Sequence, residues 1–350
     1  MKKYVLSTKL IPIILAGISA ALFGLATPIS KILLDSSNPF LLAGLLYLGA
    51  SIGLLPKVIL KKELFFILKL NNSNLKRLLG AIILGGIIGP ILILIGLKYS
   101  SASSVSLWLN FELIATAVLG FLFFKDYLGK KGWIGVFIEL TSGIILTINE
   151  GHSGVISSSL IIAACICWGF DNHFTALIDG ISATQSTFLK GLFAGIINTI
   201  IGISISNISI STNFIIYSLI LGSIFYGISI VLYIISAQKL GAIRSQIIFS
   251  SAPFFGVIFS MLLLSESITI LQMISFVLLL ISISLMTYDR HEHFHEHFEI
   301  EHTHYHHHDD MHHEHNHTNK VLNHEHLHNH INEIHSHPHW PDLHHRHDHK

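Results

Sequence analysis

Long apolar stretches, each bounded by short polar or glycine-rich segments, run through the first 289 residues of the chain. A helix that crosses the hydrocarbon core of a bilayer needs roughly 20 mainly apolar residues, and ten stretches reach that length. The pattern therefore predicts an all-α integral membrane protein. Its ten transmembrane helices are expected at about residues 10–34, 39–60, 76–97, 101–124, 131–148, 154–178, 184–206, 213–237, 241–264 and 267–288.

The composition of the chain is also typical of an integral membrane protein. Only 12% of the 350 residues are Asp, Glu, Lys or Arg, against about 25% in ordinary soluble domains. The apolar pattern stops near residue 289, and all of the 26 histidines except His152 and His173 lie beyond it. Because so polar a segment buries little apolar surface, we expect residues 290–350 to form a disordered, His-rich cytoplasmic tail.

Basic residues gather at alternate ends of the predicted helices. Short cytoplasmic loops of membrane proteins carry an excess of Lys and Arg, and this excess orients the chain. The basic residues precede the first helix or lie in and beside the even-numbered loops, at Lys2, Lys3, Lys9, Lys57, Lys61, Lys62, Lys69, Lys76, Arg77, Lys125, Lys130, Lys131, Lys239 and Arg244, with Lys98 as the main exception. This bias predicts a multi-pass protein of the bacterial inner-membrane type with both termini in the cytoplasm.

The two halves of the apolar region resemble each other. Phe23-Gly24 in the first helix parallels Trp168-Gly169 in the sixth, and the segment 101–126 parallels the segment 241–266. Since each half has five helices, the second half must enter the membrane in the opposite sense. Secondary transporters use such inverted repeats, with a substrate site near the membrane midplane between the halves.

Several of these stretches also resemble a known family. They are ALFGLATPISKILL (21–34), NPFLLAGLLYLGA (38–50), GPILILIGL (89–97), SASSVSLWLNFELIATAVLGFLFFKD (101–126), CWGFDNHFTALI (167–178), FLKGLFAGIIN (188–198) and YGISIVLYIISAQKLGAIRSQIIFSSAPFFG (226–256). Together they are similar to EamA-type permeases of the drug/metabolite transporter superfamily, in a branch with a His-rich C-terminal tail. The resemblance implies two five-helix repeats, at residues 10–149 and 154–288, and transport by alternating access. It leaves the substrate open, since a fold hosts many functions.

Three groups of polar residues interrupt the predicted helices. They are Asn110 with Glu112, then Glu139, and then Asp171 with Asn172 and His173. Ionisable groups inside a membrane are costly and mark substrate or ion pathways, so we expect these six residues to line the path of the substrate or coupling ion. The alternative is that they only form hydrogen bonds between helices.

Glu112 is the strongest of these candidates, as a carboxylate that can take up and release protons. It has no acidic counterpart in the second half, where Ala252-Pro253 falls at the corresponding position. We interpret Lys190 and Arg244 as residues that snorkel to the membrane interface, although either could line a route for an anion. Pro90 and Pro253 are expected to kink helices beside the cavity.

The tail is rich in metal ligands. Imidazoles beside carboxylates suit Zn, Ni, Co and Cu ions, but no ligand spacing recurs, so we expect non-specific chelation rather than a preformed tetrahedral site. The candidate ligands are His291, His293, His295, His297, His302, His304, His306, His307, His308, His312, His313, His315 and His317. The tail could equally be an inert appendage or a pH sensor, since many imidazoles charge together on acidification.

These features predict a secondary active transporter that exports a small solute, with proton entry as the driving force and a metal-chelating tail. The alternatives are an exporter of divalent Ni, Co or Zn ions, and a membrane-anchored metal buffer or sensor. The chain shows no Walker motif and no nucleophile–base constellation, so we expect neither ATP hydrolysis nor enzyme activity. We expect no required cofactor and no nucleic-acid partner. The lipid bilayer and the substrate are the expected partners, and the oligomeric state stays open, with a homodimer as one option.

Overall fold

Ten helical segments form the described membrane region. The structure, a computed structural model, describes residues 2–35, 37–60, 70–124, 126–205 and 211–288, together with the backbone of four short strands in the tail. Within these residues ten helices are long and apolar enough to cross a membrane, which confirms the all-α fold class and the ten predicted spans. In chain order they are α1 Lys2–Leu34, α2 Pro39–Leu60, α3 Asn72–Tyr99, α4 Ala102–Phe123, α5 Lys130–Ile148, α6 Glu150–Ala176, α7 Ala183–Ser204, α8 Thr212–Leu240, α9 Ala242–Leu264 and α10 Ile270–Thr287.

Local chemistry determines where the less regular helices begin. α7 begins with a capping box, in which the Ser182 hydroxyl accepts from the Gln185 N–H and the Gln185 side chain accepts from the Ser182 N–H. This satisfies two N–H groups that the first helical turn leaves without partners. Gly151 is the second residue of α6 and has φ 66° and ψ −145°, a conformation that glycine adopts without a Cβ penalty.

Four helices are interrupted, and they occupy corresponding places in the two halves. α3 and α8 each contain a π-helical stretch, at Ala81–Ile88 and Gly222–Ile228. α4 and α9 each break near their centre, at residues 109–110 and 250–251. Short π-helical stretches and broken helices recur at functional sites in membrane proteins, so we expect a functional site beside these four helices.

α2 and α7 cross in close contact through glycines. A Cβ at Gly195 would lie 2.7 Å from the Leu48 backbone nitrogen, and one at Gly191 would lie 2.8 Å from the Tyr47 carbonyl oxygen. Small residues let transmembrane helices approach closely enough for packing to hold them together. The Gly191-x-x-x-Gly195 motif is thus a packing device between the two halves.

The tail contains strands where the sequence predicts disorder. The strands are β1 Glu292–His297, β2 Glu301–His307, β3 Asn323–Asn329 and β4 Glu333–Pro338. β1 pairs with β4 and β2 with β3, both antiparallel, within a compact unit at residues 290–339. The disordered tail stays a prediction, and in these segments histidine alternates with residues such as Phe, Thr, Tyr, Leu or Ile, a period-two pattern that suits a strand. The candidate ligands outside the described residues are His291, His308, His312, His313, His315 and His317.

We predict that Gly195→Leu lowers the stability of the membrane region. The added side chain would meet the α2 backbone, and overpacking of this kind typically costs about 1–3 kcal/mol. Thermal unfolding of the purified protein in detergent measures the effect. Gly17→Leu is the matched control, because a Cβ at Gly17 meets no atom within 4 Å. Equal melting temperatures for the two variants would contradict the proposed role of the α2–α7 contact.

Candidate functional site

Glu112 lies at the start of the second half of α4, directly after the break at residues 109–110. The residue is only 5% exposed. Its Oε1 atom accepts a hydrogen bond of 2.8 Å from the Nδ2 atom of Asn172 on α6. The N-terminus of a helical segment favours negative charge, while removal from water disfavours it. The helix N-terminus and the burial therefore act on the charge of this carboxyl group in opposite directions.

Asn172 connects three helices at this point. Besides Glu112, its amide nitrogen lies 3.0 Å from the Thr116 hydroxyl oxygen on α4 and 3.2 Å from the Gln246 side-chain oxygen on α9. The amide has two hydrogens for three acceptors, so a change in the protonation of Glu112 alters how these hydrogens are shared. Glu112 on α4 and Gln246 on α9 therefore compete for the hydrogens of one amide on α6.

Asp171 forms a buried ion pair with Lys190. The Lys190 Nζ atom lies 2.6 Å from the Asp171 Oδ2 atom, and both side chains are largely shielded from the surface. The interpretation of Lys190 as a snorkelling residue is therefore wrong. Its position near the start of α7 suggests an interface, but the Asp171 carboxylate on the neighbouring α6 holds its ammonium group inside the bundle.

Aromatic rings surround the polar centre. The Phe23 ring on α1 lies 5.5 Å from that of Trp168, 5.6 Å from that of Tyr226 and 5.3 Å from that of Phe249, measured between centroids. Tyr47 contacts Tyr226 at 5.7 Å. Edge-to-face pairs at such distances hold large side chains in fixed positions, so the wall of the site is preorganised and mainly apolar.

One backbone carbonyl near the centre lacks its helical partner. In a regular helix the Gly85 carbonyl would accept from the N–H of Gly89. In the π-helical stretch the Gly89 N–H instead bonds to the Leu84 carbonyl. The next residue along the chain, Pro90, has no N–H to offer. The Gly85 carbonyl must therefore find its hydrogen bonds elsewhere.

Side chains of the other half and of α2 satisfy the carbonyls that α3 leaves open. The Gly85 oxygen accepts from the Tyr47 hydroxyl at 2.6 Å and from the Trp168 indole N–H at 3.1 Å. The Gly86 oxygen accepts from the Asn198 amide at 3.2 Å. The predicted role of Pro90 beside the cavity thus has a specific form: it withholds an N–H from α3, and the open carbonyls fix residues on α2, α6 and α7.

Two cavities flank Glu112 within the described residues. We call the end of the bundle with the loops after α1, α3, α5, α7 and α9 the odd-loop end, and the opposite end the even-loop end. One cavity is lined by Thr27, Ser106 and Pro253 as well as Glu112, and it extends from Glu112 toward the odd-loop end. This location agrees with the expectation that Pro253 lies beside the cavity.

The second cavity extends from Glu112 toward the even-loop end. Its walls include Asp171 and Lys190. They also include Thr175 on α6 and Ile234 on α8, which lie toward the even-loop ends of those helices. The volume of this cavity is about 40 Å³. Phe23 and Phe249 line this cavity and the first one alike. Glu112 and these two rings therefore form the boundary between the two spaces.

Polar contacts close the odd-loop end around the start of α4. Both oxygens of Glu266 accept from backbone N–H groups, those of Ala102 at 2.8 Å and Ser103 at 2.9 Å. Glu150 accepts from the hydroxyl of Ser100 at 3.0 Å and from those of Ser101 and Ser104. Glu266 thus binds N–H groups that the helix N-terminus leaves free and joins α4 to the α9–α10 loop. Glu150 joins the same end of α4 to α6 through hydroxyl groups.

His173 takes part in a different closure near the even-loop end. Its Nε2 atom lies 2.8 Å from the Thr116 carbonyl oxygen, and its Nδ1 atom lies 3.6 Å from an Asp126 carboxylate oxygen. Its ring stacks on Phe124, with centroids 4.2 Å apart. Since a carbonyl only accepts, Nε2 donates there, and the imidazole links α6 to α4 and to the α4–α5 loop. His173 is not part of the described lining of either cavity.

The remaining predicted site residues, Glu139 and Asn110, lie outside the described lining of both cavities. Glu139 is buried at the contact between α5 and α10, where its Oε2 atom accepts from the Ser282 hydroxyl at 2.9 Å. Asn110 is buried at the break in α4, and neither amide atom has a hydrogen-bond partner among the described residues. Glu112, Asp171 and Asn172 are thus the three predicted residues that the fold brings together.

Sequence analysis missed several residues of the site. Tyr47 and Gln246 contact or line it, although the sequence singled out neither as a site residue. Lys190 also contacts it, and the sequence offered that place only as the alternative to the membrane interface. No three His, Cys, Asp or Glu side chains come close enough to hold one metal ion among the residues whose side chains are described. Asp171 and His173 in particular face different partners.

Comparisons with known proteins agree on the class of protein. The model of a family described as "EamA-like transporter family" matches residues 10–148 and again residues 155–288. A protein of Methanothermobacter thermautotrophicus called "Uncharacterized transporter" is 26% identical over 290 residues, which cover 76% of this chain and 83% of the relative. A protein crystal structure with 14% identity has a TM-score of 0.60 and covers 79% of this chain and 96% of its own. At that identity the similarity concerns the fold alone.

We predict that Lys190→Met destabilises the protein strongly, because it leaves the Asp171 carboxylate buried without its cation. Removal of one partner of a buried pair costs on the order of 3–5 kcal/mol. The double variant Lys190→Met with Asp171→Asn should recover most of that loss, since neither charge then remains. Thermal unfolding in detergent of both single variants and the double variant gives the comparison. Additive losses in the double variant would show that the pair is not coupled.

Proposed function

Since the chain belongs to the EamA-like transporter family and is a membrane transporter of the drug/metabolite type, we propose that it exports a small organic solute in exchange for protons. The single observation behind this proposal is the position of Glu112. It lies between one cavity toward the odd-loop end and another toward the even-loop end. A titratable group shared by two such spaces can be loaded from one side of the membrane and unloaded on the other.

The proposed cycle uses the breaks in α4 and α9. Both helices are interrupted beside Glu112, at residues 109–110 and 250–251, so each half-helix can tilt against the other. When the odd-loop end opens, Glu112 takes up a proton from outside. When the even-loop end opens, Glu112 releases the proton to the cytoplasm, and the solute enters the cavity from the cytoplasm. The basic residues beside the even-numbered loops support this orientation.

The lining of the site favours an organic solute. Aromatic rings are the largest group in its described lining, with Glu112 and the Asp171–Lys190 pair as its charged groups. Apolar walls with a few placed polar groups are typical of small-molecule sites. A metal exporter would need converging ligands, but Asp171 is bound to Lys190 and His173 faces Thr116 and Asp126. We therefore prefer the organic solute to the divalent ion.

We predict that Glu112→Gln abolishes proton-coupled transport while the protein still folds, because glutamine keeps the shape but cannot carry a proton. Everted membrane vesicles are energised to build a proton gradient, and acridine orange reports proton release. Amino acids, quaternary ammonium ions and sugars are added one at a time as probes. At least one of them should release protons through the unaltered chain and none through Glu112→Gln.

Glu139→Gln is the matched control for that experiment. Its carboxyl group is buried like that of Glu112, but it lies at the α5–α10 contact, away from the described cavities. The control should retain proton release. A Glu112→Gln variant that still releases protons with an active solute would rule out Glu112 as the coupling group.

We also predict that a chain stopped after Asp289 transports organic solutes as fast as the full chain. All residues that we assign to the path lie before that point. The same vesicles are tested with Ni²⁺, Co²⁺ and Zn²⁺ in place of the solutes. Transport of a metal ion that depends on residues 290–350, with no response to any solute, would favour the metal exporter. Movement of neither solutes nor ions would favour the membrane-anchored metal buffer.

A further inference from the structure

A hydroxyl group of α4 lacks a protein partner close to Glu112. Ser106 is only 1% exposed, and its Oγ atom has no hydrogen-bond partner among the described residues. A buried hydroxyl without a hydrogen bond is costly. A serine in a helix can avoid that cost by donating to a carbonyl of the preceding turn, as Ser260 does to Gly256 at 2.8 Å. The Ser106 hydroxyl makes no such bond, so it is available to a molecule in the adjoining space.

That space is the cavity between Glu112 and the odd-loop end, which we call the odd-loop cavity. Ser106 belongs to its lining, together with the polar side chains of Thr27, Gln246 and Glu112. The volume of the cavity is about 10 Å³. One buried water molecule needs roughly 10–15 Å³ and a few polar partners. The odd-loop cavity therefore has the size and the polar lining for a single water molecule.

Close contacts between helices limit the size of this cavity. A Cβ at Gly24 on α1 would clash with the Ala252 carbonyl oxygen on α9, and a Cβ at Gly256 on α9 would clash with the Ser106 Oγ atom. The three helices can approach so closely only because these two residues are glycines. The space that remains between α1, α4 and α9 suits water and is too small for an organic solute.

One face of α1 leads from Glu112 to the odd-loop end. Phe23, Thr27 and Lys31 are four residues apart from one another, so they share that face. Phe23 lies at the boundary between the two cavities, and Thr27 lines the odd-loop cavity. The Lys31 ammonium group donates to the carbonyls of Leu97 and Ser100 where α3 ends. The odd-loop cavity thus lies on the route of a proton that enters from the odd-loop end.

Glu112 has an oxygen atom left for a water molecule. Asn172 donates to its Oε1 atom, and no described residue donates to its Oε2 atom. A serine hydroxyl can donate one hydrogen bond and accept others. A water molecule between the two groups can therefore form hydrogen bonds with both, whether the carboxyl group is ionised or protonated.

We propose that the odd-loop cavity binds one water molecule between the Ser106 hydroxyl and the Glu112 carboxyl group, and that this water passes protons to Glu112 from the odd-loop side. The second part rests on the proposed function, in which Glu112 takes up a proton from outside. The water gives one of its protons to the carboxylate while it accepts another from the odd-loop side. One O–H bond of the water breaks, an O–H bond of the carboxyl group forms, and the water is regenerated. Ser106 is a positioning residue that holds the water in place.

The water site is tested by a crystal structure of the full chain at a resolution that shows bound waters. We expect density within hydrogen-bond distance of the Ser106 Oγ atom and of a Glu112 carboxyl oxygen. An absence of density at this place would overturn the water site. Density that disappears when choline replaces Na⁺ in the crystals would overturn it as well, because the site would then hold a metal cation.

The proton transfer is tested by infrared spectroscopy of the full chain in lipid nanodiscs. A protonated carboxyl group has a C=O band that shifts when deuterium replaces its proton, and the band of Glu112 is the one that Glu112→Gln removes. After a rapid change from H₂O to D₂O, the rate of this shift measures how fast protons reach the carboxyl group. Ser106→Ala should slow the shift about ten-fold, because the water loses one of its hydrogen bonds.

Ser218→Ala is the matched control. Ser218 on α8 is buried like Ser106, and its hydroxyl also has no partner among the described residues, but it lies outside the described lining of both cavities. The control should exchange at the rate of the unaltered chain, and thermal unfolding checks that both variants fold.

Two results would overturn the proton transfer through this water. One is a Ser106→Ala variant that exchanges as fast as the unaltered chain, and the other is an equal slowing in Ser106→Ala and Ser218→Ala. Failure of the proposed function has a different signature. If Glu112→Gln removes no carboxyl band at any pH, Glu112 never carries a proton, which contradicts the proposed function and the proton transfer together, while the crystal structure still decides the water site.

Discussion

The hydrocarbon core of a membrane offers no water, so every polar group placed there must find its partner within the protein. The carbonyl of Gly85 shows how much follows from that constraint. A π-helical stretch and Pro90 leave it without a helical N–H, and Tyr47 and Trp168 donate to it instead. Those two side chains also line the even-loop cavity and contact the other rings of its wall. The shape of the site thus depends on one backbone carbonyl that lacks its helical partner.

The same constraint explains what the sequence could predict. Ten spans were predictable because each must be long, apolar and helical, and Glu112, Asp171 and Asn172 stood out because polar groups are rare in such helices. The pairing of Lys190 with Asp171 was not predictable. Nineteen positions separate them in the chain, and only the folded structure shows that the ammonium group points toward Asp171. The role of Gln246 was hidden for the same reason, since its partner Asn172 lies on α6, far from Gln246 in the chain.

The two halves are alike in architecture but differ in chemistry. α3 parallels α8 and α4 parallels α9 in their interruptions, yet Glu112 corresponds to Ala252 in the second half. The loops differ too. Glu266 holds the start of α4 through backbone N–H groups, whereas Asp126 in the corresponding loop faces the imidazole of His173. The two ends of the bundle are therefore closed by different chemical groups, backbone N–H groups at one end and an imidazole at the other.

Histidine is distributed in the chain in a way that separates two kinds of chemistry. The described membrane region has only His152 and His173, and the imidazole of His173 is already engaged between α4 and the α4–α5 loop. The tail holds all the others, and several of them lie opposite one another in its paired strands. The carboxylate site enclosed by aromatic rings lies in the membrane region, whereas the paired strands lie in a separate compact unit. The acidic site and the histidine-rich segment are therefore placed in different parts of the chain.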